Sequence, residues 1–134
     1  MPFVTTADNT RIHYEVTGRP GATPVLMIQG LGASKNGWNL QRAAMATRFR
    51  IIALDNRGAG RSDKPTAAFT LEQMADDAIA VLDAAGVEDA HIVGASMGGV
   101  ISQIIAVKYP ERVRSLSLVC TACRNHPWRH ELLQ

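Results

Sequence analysis

The sequence predicts an α/β protein, a mostly parallel sheet flanked by helices. Three observations predict it. Short β-rich runs alternate with runs of helical period from one end of the chain to the other. Several of the β-rich runs are continuously apolar, as strands covered on both faces are. Three of them lead directly into glycine-bearing loops. No repeat, low-complexity tract or linker interrupts the alternation.

Taken in order, Phe3 to Thr6 and Arg11 to Val16 read as a hairpin across Asp8-Asn9-Thr10. Gly18 to Gly21 make a turn, and Pro24 to Ile28 form a buried strand that ends at Gln29-Gly30. A helix is expected from near Asn36 to about Ala46, followed by a strand from Arg50 to Leu54. The clearest helix comes next. Leu71, Met74, Ala75, Ala78, Ile79 and Leu82 recur at i, i+3 and i+4, Thr70 with Gln73 fits a capping box, and Gly86 suits the stop. Ala90 to Val93 is a strand running straight into Gly94-Ala95-Ser96-Met97-Gly98-Gly99. On the helix after it, Met97, Val100, Ile101, Ile104 and Ile105 share a face, and Tyr109-Pro110 ends it. Val113 to Cys120 is the last strand, with Val113, Leu116, Leu118 and Val119 expected to be buried between two layers.

Composition narrows the function classes. A chain of 134 residues is one domain at most, and 46% hydrophobic residues suffice for a packed core. Fourteen Lys and Arg against 12 Asp and Glu leave a net charge of +2, with the basic residues scattered, so no nucleic-acid or polybasic membrane surface is implied. No apolar run approaches the roughly 20 residues of a membrane span. The N-terminus lacks the charged-then-apolar layout of a signal peptide, and two cysteines make no disulfide framework. The expectation is a soluble, cytoplasmic protein without a membrane or nucleic-acid partner.

The chemistry concentrates in the glycine loops. Gly94-Ala95-Ser96-Met97-Gly98 is G-x-S-x-G between a strand and a helix. A nucleophile on so tight a turn needs nearly side-chain-free positions two before and two after it, which Gly94 and Gly98 supply, while Gly99 lets the helix pack closely. The turn lifts the Ser96 hydroxyl out of the sheet and sets the Met97 N–H at a helix N-terminus, where free donors favour a developing oxyanion. A second donor is expected from the loop Gln29-Gly30-Leu31-Gly32, with the Leu31 N–H as the candidate. The third loop, Asp55-Asn56-Arg57-Gly58-Ala59-Gly60-Arg61-Ser62, lacks the Lys-Ser/Thr of a phosphate-binding P-loop and no helix follows it directly. Asp55 and Arg57 are instead expected to fasten the loop beside the nucleophile.

With these loops, in this order and at these separations, the chain resembles the N-terminal half of an α/β-hydrolase fold protein, over essentially its whole length. Within that family it is most similar to small bacterial esterases, lactonases and cofactor-free haloperoxidase-type enzymes. The resemblance implies an α/β-hydrolase fold truncated after about the sixth strand, with residues 1–134 the N-terminal part of a single domain and the cap and C-terminal part absent. It implies a serine hydrolase that cleaves a small carboxylic ester or lactone through a Ser96 acyl-enzyme, with no metal or organic cofactor. Peracid formation and carbon–carbon cleavage remain alternatives within the family. Two positions depart from the family. Gln29 stands where a His is frequent. Ser96 stands where haloalkane dehalogenases and epoxide hydrolases carry Asp, which favours acyl transfer.

A serine needs a base, usually a His oriented by a carboxylate, and the resemblance puts both after the nucleophile, beyond Gln134. Of the histidines present, His13 and His91 read as structural. His126 and His130, with Glu131 or Asp55 as orienters, offer a substitute triad. The same tail offers Cys120, Cys123, His126 and His130 as zinc ligands, or C-x-x-C as a redox pair, though only two residues separate the two halves of the zinc set. Finally, Val113 to Cys120 is expected to be an open, apolar edge that invites self-association or a complementary C-terminal fragment. On that ground the alternative to an enzyme is a non-catalytic assembly piece that pairs through the edge.

Overall fold

The computed structural model describes residues 2–124. Its strands are β1 (Phe3–Thr5), β2 (Arg11–Gly18), β3 (Thr23–Ile28), β4 (Phe49–Leu54), β5 (Ala90–Ala95) and β6 (Val113–Val119). Its helices are α1 (Asn39–Met45), α2 (Leu71–Ala84) and α3 (Met97–Lys108). The six strands form one sheet in the order β1-β2-β4-β3-β5-β6. β1 and β2 are antiparallel, β2 meets β4 antiparallel, and β4, β3, β5 and β6 run parallel. The mostly parallel sheet flanked by helices is thus the one expected from the alternation of patterns.

Side chains alternate across the sheet, so neighbouring residues of one strand feed opposite cores. Leu26, Ile28, Ile52, Leu54 and Ile92 pack with Met74, Ala78 and Leu82 of α2 and with Ile101 and Ile105 of α3. Val25, Met27, Ile51 and Ala53 point the other way, onto Trp38 and Met45. Covering both faces is what makes Val25 to Ile28 of β3 and Ile51 to Leu54 of β4 continuously apolar.

α2 is the element in which local signals agree best. Thr70 accepts from the Gln73 N–H at 3.1 Å while the Gln73 side chain accepts from the Thr70 N–H at 2.8 Å, closing the capping box. At the other end Gly86, at φ 70°, takes the left-handed position after the helix. Its N–H reaches the Asp83 carbonyl and the Val87 N–H reaches that of Leu82, which satisfies carbonyls the helix leaves free.

Several expectations need correction. The helix expected from Asn36 is a 3-10 turn, Lys35–Trp38, followed by α1, because Ser34 caps the turn and Trp38 must reach the core. β2 runs on to Gly18 and β5 to Ala95, since each has a full partner strand along that length. On α3, Val100 and Ile104 are only half-buried, and the closest packing falls to Gly98, Gly99, Ile101, Ser102 and Ile105. β6 departs furthest. Leu118 and Val119 are 43% and 46% exposed rather than buried. Among the described residues β6 is an edge of the sheet, with no strand paired beyond it. Cys120 lies just past the strand and is exposed, not part of a buried one.

The topology places a crevice. From β3 the chain crosses to α1 on one face, whereas from the adjacent β5 it crosses to α3 on the other. Where neighbouring strands send their connections to opposite faces, the loops at their carboxyl ends part, and ligands of such sheets bind there.

Candidate active site

Ser96 is the single residue between β5 and α3. Its backbone is at φ 54°, ψ −118°, a conformation costing an L-residue about 1–3 kcal/mol. The turn is tight enough that its flanking glycines are boxed in. A Cβ on Gly94 would run into the Gly98 carbonyl and the Ser102 hydroxyl. One on Gly98 would run into the Ile28 carbonyl and lie 2.8 Å from the Gln29 oxygen. The absence of those two side chains lets β5 turn into α3 against the end of β3, leaving Ser96 exposed to solvent.

The loop after β3 comes to the same place. A Cβ built on Gly30 would be 3.3 Å from the Ser96 Cβ and 3.7 Å from its Oγ, so the Gly30–Leu31 backbone borders the serine side chain. The Ala33 N–H closes a turn onto the Gly30 carbonyl at 3.3 Å, and the Leu31 side chain is 86% exposed at its tip. Gln29, at the position where the family often has His, folds its side-chain oxygen back onto the Gly30 N–H at 3.2 Å. Met97 opens α3 and so has no N–H partner one turn earlier in the helix, and α3 has no side-chain cap.

Asp55 fastens this loop from below. Fully buried, it accepts from the Lys35 N–H at 2.7 Å, the Lys35 ammonium at 3.3 Å and the Arg61 N–H at 3.0 Å. Burial pushes its carboxyl up, but those donors outweigh burial and hold it below the usual range. Gly60 passes so close that a Cβ there would lie 2.6 Å from a carboxylate oxygen. Lys35 also meets Glu15 at 3.6 Å, and Arg42 bonds Glu15 at 2.7 Å, which lowers the Glu15 carboxyl. Among the described residues, the hydrogen bonds of the Asp55 carboxylate run to Lys35 and Arg61.

Arg57 works elsewhere. It forks onto Asp77 of α2 at 2.7 and 2.8 Å and onto Asp8 of the β1–β2 turn at 2.8 Å, both of which raise its already high pKa. It therefore pins the loop's far side to the hairpin and α2. The link to the serine side is instead Asn56, whose amide donates to the Gln29 carbonyl at 2.9 Å.

His13 is fully buried, with Nδ1 3.5 Å from Asp55, and burial lowers its pKa, with Lys35 adding to the effect. His91 shares a 2.6 Å hydrogen bond with the Ser115 hydroxyl. Both fit the structural role expected of them. His126, His130 and Glu131 lie outside the described residues, and with them two of the four residues of the alternative zinc set. Among the described residues no three His, Cys, Asp or Glu side chains are grouped to hold a metal, and no helix is long and apolar enough to cross a membrane.

The sequence reading missed Lys35, Asn56, Asp77 and Thr121. The Thr121 hydroxyl donates to the Ser96 carbonyl at 2.8 Å. Its position, two residues past the strand that pairs with β5, was the available signal. Asp77 had one too, lying three residues after Met74 and four before Val81, both buried.

The fold and this crevice define the class. A family model described as the alpha/beta hydrolase fold matches residues 23–134, and the chain belongs to that family. Among curated relatives, RutD of Azorhizobium caulinodans, named as a carbamate hydrolase, is 41% identical over 119 residues, covering 89% of this chain and 44% of that protein. Among solved structures, a hydrolase from Pseudomonas aeruginosa superposes with a TM-score of 0.91 at 29% identity, over 98% of this chain and 51% of that one. The enol-lactonase of Burkholderia xenovorans gives 0.87 at 30% identity, over 92% and 48%. The chain thus spans about half the length of the proteins it matches.

Proposed function

We propose that this chain carries the nucleophile and the oxyanion donors of a serine hydrolase acting on a small carboxylic ester or lactone. Ser96 Oγ attacks the carbonyl carbon, and the Leu31 and Met97 N–H groups receive the charge that develops on its oxygen. A histidine held by a carboxylate takes the serine proton and passes it to the leaving oxygen, and water then releases the acyl group. On this reading residues 1–134 are the N-terminal part of one domain, and the base and its acid come from chain beyond Gln134. The observation that carries the proposal is Ser96 itself, an exposed hydroxyl at φ 54° with the Gly30–Leu31 backbone beside it. Strain of that kind persists where the surroundings over-determine it, as they do at functional sites. The relatives support the substrate class, since carbamates and enol-lactones are both carbonyl compounds.

The test is labelling of the folded chain with a fluorophosphonate, the modified residue being located by mass spectrometry. Adduct at Ser96, lost in Ser96→Ala, is expected. Adduct formed equally in Ser96→Ala overturns the assignment. The exposed Leu118 and Val119 on the edge strand favour a second reading, a non-catalytic piece that pairs through β6. Stoichiometric association of a folded chain that takes no label would support it.

A further inference from the structure

We infer that Thr121 is a positioning residue for this site, its hydroxyl locking the Ser96–Met97 peptide so that the Met97 N–H faces the oxyanion position. The inference rests on the proposed roles of Ser96 and Met97, and the following contacts carry it. The Ser96 carbonyl and the Met97 N–H belong to one planar trans peptide, so they point in opposite directions and turn together. Whatever fixes the carbonyl therefore aims the N–H. Thr121 Oγ1 donates to that carbonyl at 2.8 Å, alongside the first-turn bonds from the Gly99 N–H at 3.0 Å and the Val100 N–H at 3.4 Å.

The contact is built rather than incidental. Cys120, at φ 51°, turns the chain off the end of β6, and Thr121 lies against the first turn of α3. It fits there because residue 99 is glycine. A Cβ at Gly99 would lie 2.5–2.6 Å from the Thr121 Cβ, Cγ2 and Oγ1. Two more bonds hold the same segment: the Ser96 N–H donates to the Val119 carbonyl at 2.9 Å, and the Gln103 amide reaches the Ala122 carbonyl at 3.4 Å. Both peptides flanking Ser96 are thus tied to residues 119–121.

The arrangement also answers a problem of helix starts. Most helices are held at the N-terminus by a side chain that occupies their free N–H groups. A cap of that kind on α3 would consume the donors an oxyanion needs, and α3 has none. Thr121 steadies the first turn from the carbonyl side and leaves the N–H groups open.

The experiment compares Thr121→Val, which keeps the shape and loses the hydroxyl, with Thr121→Ser, which keeps the hydroxyl. Two readouts are taken on the 134-residue chain: the rate of fluorophosphonate labelling at Ser96, and the amide resonance of Met97 by 1H–15N NMR. Losing one hydrogen bond of ordinary strength predicts labelling slowed by about 3- to 10-fold in Thr121→Val. The Met97 resonance should shift in that variant, and Thr121→Ser should restore both. A Thr121→Val chain with an unmoved Met97 resonance overturns the inference whatever its labelling rate, and so does a moved resonance with labelling at the wild-type rate. If the wild-type chain takes no label, the missing base accounts for it and the labelling comparison drops out. The Met97 resonance then decides the positioning alone, a shift in Thr121→Val that Thr121→Ser reverses supporting it and its absence overturning it.

Discussion

Replacing Gly98 by alanine puts one methyl group into the contact that sets Ser96 against the end of β3. The new Cβ would lie 2.7 Å from the Ile28 carbonyl carbon and 2.8 Å from the Gln29 oxygen, both main-chain atoms that no rotamer change can move aside. Carbon–carbon contacts settle at about 3.5–4.0 Å, so α3 and β3 must separate by about 1 Å. Overpacking of this kind costs roughly 1–3 kcal/mol. For a chain of this length that is a fall of about 3–12 °C in Tm. The functional effect should be larger in proportion, because the shift moves Ser96 relative to the Gly30–Leu31 backbone, and misplacing a reacting group by about 1 Å can cost 100-fold in rate. Thermal melts and the Ser96 labelling rate give the two numbers. Gly21→Ala is the control, since its Cβ would meet nothing within 4 Å although φ is 76°. It should lose about 1–2 kcal/mol from left-handed strain and label normally. A Gly98→Ala chain that melts and labels like the wild type would refute the packing argument, and one that is destabilised but labels normally would refute the link to the site.

Two further predictions concern the buried charges. Asp77→Ala should cost about 3–5 kcal/mol in urea unfolding, because Arg57, whose side chain is only 3% exposed, keeps just the Asp8 partner. Asp8→Ala should cost far less, since that carboxylate is 45% exposed and its pair is screened by water, and equal losses would contradict this assignment of the anchor. For His13, burial holds the folded-state pKa below the ordinary 6.5, so the unfolded chain binds the proton first as pH falls. Stability should therefore be unaffected by this group above about pH 7 and decline below about pH 6.5, by at most about 1.4 kcal/mol per unit. His13→Gln should flatten the dependence of the urea midpoint between pH 6.5 and 5, and a slope unchanged by the substitution would show that His13 is not its source.

How far the sequence could be read depended on the range of the interactions. α2 was legible at both ends because its capping box and its glycine stop are local, set by residues within three or four of one another. The G-x-S-x-G turn was legible for the same reason, the glycine spacing being a direct consequence of steric limits on a strand-to-helix turn. The Asp55 cluster was not. Its partners Lys35 and His13 lie 20 and 42 residues away, and nothing in either segment marks the pairing. Arg57 illustrates an intermediate case, in which a fastening role was expected but its direction was not, since Asp8 and Asp77 approach only in the folded chain. β6 failed on another ground. An apolar pattern states what a strand would bury, not what covers it, and Leu118 and Val119 remain exposed on an edge.

The contacts around Ser96 all serve position rather than reactivity, and that division has a consequence. The loop after β3 supplies the backbone beside the hydroxyl, α3 the open N–H groups, and Val119 and Thr121, at and just past the end of β6, the two bonds that fix the flanking peptides. None of these groups withdraws the serine proton. Neither described histidine is suited to it either. His13 is enclosed beside Asp55, and His91 sits five residues before Ser96 on an extended strand, about 16 Å away at 3.3 Å per residue. In the proposed roles, preorganised donors without a base would still lower the barrier, because they stabilise the charged intermediate independently of how the proton leaves. The described residues should therefore confer slow, site-specific reactivity toward an electrophile as activated as a fluorophosphonate and little toward an ordinary ester. A chain that turned over unactivated esters at Ser96 would have to bring a base to the serine from residues 125–134 or from a second molecule.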